Sequence, residues 1–116
     1  MKNRMPTGDE NLKLSSPEED ILTVLRNQEL YGLQIVKAME EASSGAYSLV
    51  VGSLYPILHR LKDKGYLTSR WGEDDETRGG ARRRYYLITN KGLKALTYVR
   101  EKRQRLYDWQ PAGSLV

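Results

Sequence analysis

The stretch Gly52-Ser53-Leu54-Tyr55-Pro56-Ile57-Leu58-His59-Arg60-Leu61-Lys62-Asp63-Lys64-Gly65 decides the fold. At about 100° per residue, Leu54, Ile57, Leu58 and Leu61 fall on one face of a helix spanning residues 52–64. Gly65 supplies the left-handed residue that ends it. The opposite face presents Gly52, Pro56, His59 and Asp63, flanked by Ser53, Tyr55, Arg60 and Lys62. An apolar back with a small, polar and basic front is what a helix needs to enter the major groove of a DNA duplex. Taken alone, the pattern also fits an ordinary amphipathic surface helix.

The downstream sequence separates the two readings. Residues 66–71 read as a strand, 72–82 as a polar loop and 83–88 as a second strand, which together make a hairpin. A helix, a glycine and then a hairpin with Arg82-Arg83-Arg84 at the loop end is the layout of a winged helix-turn-helix. Arginine suits such a wing because its planar fork binds phosphate through two N–H groups at once. Arg78 lies on the same loop, and Gly79 and Gly80 let the backbone approach a duplex closely. Strand alternation beginning at Arg84 turns that residue away. The expected DNA-contacting set is therefore Gly52, Ser53, Tyr55, Pro56, His59, Arg60, Lys62, Arg78, Arg82 and Arg83.

Upstream, two more helices are expected. In the first, residues 17–27, Ser16 caps, Pro17 takes the first helical position and Glu19 closes a capping box. Ile21, Leu22 and Leu25 form its apolar face. The second opens near Tyr31-Gly32 and runs to Ala42, with Leu33, Val36, Met39 and Ala42 at helical spacing and Ile35 beside them. Tyr47 to Val50 is a short apolar stretch that reads as extended. After the hairpin, Thr89 or Asn90 caps a last helix that runs to about Asp108. The class is mainly α (α+β). Residues 1–14 are expected to be a flexible tail, 15–90 the winged-helix domain, 91–110 a dimerisation helix and 111–116 a frayed end.

The last helix carries Ala95, Leu96, Val99, Leu106 and Trp109 in one broad stripe. One small domain cannot easily bury this stripe as well as its three-helix core, so the surplus should meet a second copy. The interface is expected to use Ile21, Leu25, Leu96, Val99, Leu106 and Trp109. Tyr107 and Trp109 could anchor that interface or line a pocket for a small-molecule effector between subunits.

Composition narrows the function classes. The chain has 116 residues, enough for one compact domain, and contains no cysteine, which excludes disulfides and thiolate metal sites and fits a reducing cytoplasm. No apolar run is long enough to span a membrane, and no secretory signal opens the chain. Net charge is only +4, but between Arg78 and Arg105 ten basic residues face one acidic residue, Glu101. A one-sided cationic region is the electrostatic footprint of a nucleic-acid binder. The acidic run Glu73-Asp74-Asp75-Glu76 would repel DNA, so it should point away from it. The single histidine, His59, has no obvious carboxylate partner, and no phosphate loop, nucleophile elbow or metal-ligand pair is present, so an enzyme, a cofactor and a metal are not expected. The remaining alternatives are a protein-interaction winged helix without a DNA role and an RNA-binding one.

Three motifs resemble one family. Leu30-Tyr31-Gly32-Leu33-Gln34-Ile35 is similar to the opening of the second helix in PadR-like regulators, and Gly52 to Leu61 to their recognition helix. Gly79-Gly80-Ala81-Arg82-Arg83-Arg84-Tyr85-Tyr86, followed by Leu87-Ile88-Thr89-Asn90-Lys91-Gly92, is similar to their wing and exit. Where members often have a polar residue before Gly52, this chain has Val50-Val51. The resemblance implies transcriptional repression, binding of a two-fold operator in double-stranded DNA by a homodimer, sometimes control by a small molecule, and dimerisation through one C-terminal helix against the partner's first helix.

Overall fold

The computed structural model describes residues 13–73 and 82–113. Most of the expected N-terminal tail, the end of the C-terminal tail, Arg78 and the acidic run beyond Glu73 lie outside them. Chain order is α1 (Ser16–Leu25), β1 (Leu30–Tyr31), α2 (Gly32–Ala42), α3 (Val51–Asp63), β2 (Leu67–Trp71), β3 (Arg84–Ile88) and α4 (Asn90–Asp108).

The start of α1 is one residue earlier than the sequence suggests. Ser15, not Ser16, is the cap: its hydroxyl accepts from the Glu18 amide at 3.3 Å, and its own amide donates to the Glu18 carboxylate at 2.9 Å. Glu18 therefore closes the capping box, and the Glu19 carboxylate is left for another partner. At the start of α3, Val50 takes the cap position and gives no side-chain hydrogen bond, which leaves the first amides of that helix to other acceptors.

The sheet has three antiparallel strands in the order β1-β3-β2, not the two of a simple hairpin. Leu30 and Tyr31 pair with Tyr86 and Tyr85. They leave the sheet directly into α2, where Gln34 returns a side-chain bond to the Tyr31 amide at 3.1 Å. Tyr47 and Leu49 join no strand and instead pack against the core. The β2–β3 register runs from Leu67↔Ile88 to Trp71↔Arg84.

The core joins Ile21, Leu22 and Leu25 of α1, Ile35 and Met39 of α2, the four expected residues of α3, Tyr66, Leu67, Tyr86, and Ala95 and Leu96 of α4. Gly65, with φ +81°, turns the chain from α3 into the sheet. Gly92 lets α4 press against that turn: a Cβ there would lie 2.3 Å from the Tyr66 carbonyl oxygen. Leu33 and Ala42, expected on the apolar face of α2, are exposed, and Ile35 and Met39 carry its packing.

Four of the six residues expected at a dimer interface are buried within the chain. Ile21 is 0% exposed, Leu25 1%, Leu96 1% and Val99 8%, all within one chain. A helical wheel finds an apolar stripe but not what covers it. Here the chain itself covers the first half, which corrects the expectation for those four. Beyond Arg100 every described residue of the chain is exposed, including Leu106, Tyr107 and Trp109.

Candidate nucleic-acid interface

The exposed front of α3 holds Gly52, Ser53, Tyr55, Pro56 and His59 as expected. Pro56 lies inside the helix and has no N–H to return to the carbonyl of Gly52, four residues back. Gly52 has no neighbour within 4 Å of where a Cβ would stand, so that turn is open. The Tyr55 ring is half-exposed and seats its hydroxyl over Gly32, where any Cβ would clash with it. The opening glycine of α2 thus fixes an aromatic side chain of α3. His59 does have a carboxylate neighbour: Asp63, one turn on, lies 3.6 Å away, and both are well exposed. The pair is a solvated i,i+4 contact of small energetic weight.

The basic residues of α3 divide. Arg60 and Lys64 turn back to the buried carboxylate of Glu18, with Arg60 Nε at 3.4 Å and Lys64 Nζ at 3.1 Å. Burial alone would raise the Glu18 carboxyl, but the Ser15 amide, Lys64 and Arg60 outweigh it and hold the group below its ordinary value. Arg60 therefore serves the helix packing first, whereas the sequence placed it on the front. Lys62 runs the other way, donating to the Ser69 hydroxyl of β2 at 2.9 Å.

On the sheet, the pairing register puts Ser69 opposite Tyr86 and Trp71 opposite Arg84, so these four side chains share a face. Arg84 is thereby turned toward α3, contrary to the strand-alternation expectation. Its Nε donates to the same Ser69 hydroxyl at 3.0 Å, and its guanidinium lies 5.0 Å from the Trp71 ring centre. Arg82 lies over Trp71 at 5.7 Å and donates from Nε to the Gly72 carbonyl at 3.1 Å. Arg83 stacks on Tyr31 at 4.5 Å. Stacking of this kind holds a guanidinium in place while leaving N–H groups at its rim. Arg70 points to the other face and makes a two-point ion pair with Glu29, one bond at 2.8 Å.

Two connected clefts result. One, of about 520 Å³, is walled by Tyr31, Gly32, Leu33, Tyr55, Trp71, Tyr86 and the three arginines 82–84. The other, of about 550 Å³, lies between Tyr55, Pro56, His59 and Lys62 of α3 and Arg84 and Tyr86 of β3. Lys62 and Arg84 meet there on one hydroxyl, and neither has a carboxylate within ion-pair distance among the described residues. Two cations on one neutral acceptor leave a local positive potential that a phosphate would neutralise. Arg84 and Trp71 were missed because their side is set by the strand register, which the loop length does not reveal. Ser69 carried no signal of its own.

Among the described residues no side-chain cluster could hold a metal ion, and no helix is long and apolar enough to cross a membrane. Among curated proteins, no sequence matches this chain. Several solved structures do. A PadR-like transcription factor from Bacteroides fragilis is 30% identical with a TM-score of 0.70, over 79% of this chain and 84% of that one. A PadR family transcription regulator from Clostridium difficile is 26% identical with a TM-score of 0.67, over 80% of this chain and 92% of its own. Bacillus subtilis PadR, solved in complex with operator DNA, is 25% identical with a TM-score of 0.63, over 88% of this chain and 54% of that chain. The model of the transcriptional regulator PadR-like family matches residues 21–98, from α1 to the buried half of α4. The chain belongs to the PadR-like family of DNA-binding transcriptional regulators and is not an enzyme.

Proposed function

We propose that the chain is a repressor that binds a two-fold operator as a homodimer, with α3 in the major groove and the wing, residues 72–83, along the backbone or in the minor groove. The observation that carries this reading is the convergence of Lys62 and Arg84 on Ser69, between the exposed front of α3 and the aromatic-stacked arginines of the wing. Two phosphate-seeking cations side by side near the C-terminal end of α3 suit a sugar–phosphate backbone at the edge of the groove. The DNA-bound relative lends the same support by analogy. A cytoplasmic location is part of the same proposal, because the DNA it would bind lies there.

The homodimer is supported by the exposed end of α4, where Leu106, Tyr107 and Trp109 stand with no cover from their own chain. Two copies joined there would set their recognition helices about 34 Å apart, one DNA turn. Tyr107 and Trp109 would also give an apolar lining to any small-molecule effector held between subunits.

Selection of bound duplexes from a random pool, followed by fluorescence anisotropy, tests the reading. A preferred duplex with a two-fold pattern is expected, and equal affinity for selected and random DNA at moderate salt would overturn it. In the same assay Arg82→Ala with Arg83→Ala weakens all duplexes about equally, whereas His59→Ala changes which duplexes bind best.

A further inference from the structure

We propose that Glu19 and Arg103 are positioning residues, forming a fork that aims the overhanging end of α4 and so sets the operator spacing the dimer accepts. Glu18 and Glu19 are consecutive on α1, about 100° apart around the helix. Glu18 holds the C-terminal end of α3 through Lys64 and Arg60. Glu19 takes both terminal nitrogens of Arg103, each at 2.7 Å. One turn of α1 thus ties the recognition helix and the last helix to the same rigid point.

The position of Arg103 makes that tie decisive. The last apolar contact of α4 with the body is Val99, and residues 101–113 are all exposed. Among the described residues beyond Arg103, the hydrogen bonds stay within the helix and its cap, as in Gln104 to Asp108 and Trp109 to Leu106. The fork is therefore the outermost polar tie between α4 and the body. Trp109 stands about 9 Å further along the axis. A bidentate guanidinium–carboxylate pair fixes a plane as well as a distance, which a single ammonium contact does not. The Glu19 side chain is only 10% exposed, so the carboxylate is held from behind by packing. An arm that swings would carry Leu106, Tyr107 and Trp109 with it and change the separation of two recognition helices joined through it.

The spacing consequence rests on the dimer and DNA reading above, but the fork itself does not, and the experiment separates them. The chain has no cysteine, so spin labels at Asn27→Cys and Arg105→Cys are unique. With labelled chains diluted in unlabelled protein, the distance between them reports the arm within one chain. Arg103→Gln and Glu19→Gln should each broaden that distribution, and Arg103→Lys should broaden it less. An unchanged distribution in both glutamine variants would overturn the proposal. On the wild-type-selected duplex, with base pairs inserted or removed at its centre, the wild type should discriminate steeply and Arg103→Gln several-fold less. A broadened arm with an unaltered spacing profile would overturn the specificity role. A wild type that selects no duplex would overturn the DNA reading instead, while a broadened arm would still support the fork.

Discussion

The cations at the end of α3 and those at the wing have the same formal charge and opposite surroundings. Arg60 and Lys64 meet a carboxylate that is almost wholly buried, and the pull is strong enough to outweigh the desolvation of Glu18. Arg103 and Arg70 are neutralised in the same way by Glu19 and Glu29. At the wing, Arg82, Arg83 and Arg84 lie over aromatic rings, and Arg84 shares a serine hydroxyl with Lys62. Arg60, Lys64 and Arg103 tie helices together, and Arg70 ties β2 to the segment before β1. The second group lies against rings, and within it Arg84 shares a neutral hydroxyl with Lys62, with no carboxylate at ion-pair distance from either among the described residues. Counting basic residues along the chain cannot tell these groups apart, because the distinction lies in partners far away in sequence.

The comparison breaks most visibly on the stability side. Glu18→Gln removes the acceptor of the α1–α3 ties, and the loss should be about 1–3 kcal/mol, the range for hydrogen bonds to charged groups at a buried site. Thermal unfolding checks it, and duplex affinity of the folded variant should change little. Acid should act in the same direction. Arg103, against the opposing effect of burial, keeps the Glu19 carboxyl below its ordinary value, and Glu18 is also lowered. Both groups then bind protons more readily in the unfolded chain, so their contribution is complete above the ordinary glutamate range and is lost as pH falls through the lowered folded values. Asp20 runs the other way, since burial and the neighbouring Glu19 raise it. Unfolding curves at falling pH should show stability declining below the ordinary glutamate range, and Glu18→Gln should flatten that decline.

A smaller effect sharpens the wing side. Trp71 is 52% exposed and lies under both Arg82 and Arg84. Trp71→Ala should leave the melting temperature nearly unchanged yet weaken duplex binding by a few-fold, consistent with about 0.5–1 kcal/mol for each exposed cation–π contact. A large loss of stability with unchanged binding would place Trp71 in the packing group instead.

Much of the fold was legible because it is written locally. The apolar spacing of Leu54 to Leu61, the glycine at 65 and the two short strands each follow from a few neighbouring residues. What was not legible depends on pairing across the chain. A two-residue strand at Leu30–Tyr31 has no periodicity of its own and exists because β3 offers it an edge. The side on which Arg84 emerges follows from its register with Trp71. The cap at Ser15 rather than Ser16 follows from which glutamate is free to reach back. Arg60 looked like a groove residue because its partner, Glu18, is 42 positions away. The helix wheel of α4 joined Leu96 and Val99 to Leu106 and Trp109, although the first pair packs within its own chain and the second does not.

The most direct test sets the two cation groups side by side on one duplex. The salt dependence of binding is measured by anisotropy for the wild type, for Lys62→Ala with Arg84→Ala, and for Arg60→Ala. The double variant should bind more weakly on every sequence and lower the salt slope by about 2, roughly one per phosphate contact. Arg60→Ala should keep the wild-type slope while melting earlier. A slope unchanged in the double variant, or lowered as much by Arg60→Ala, would contradict the assignment of the Lys62–Ser69–Arg84 cluster as the surface that meets DNA.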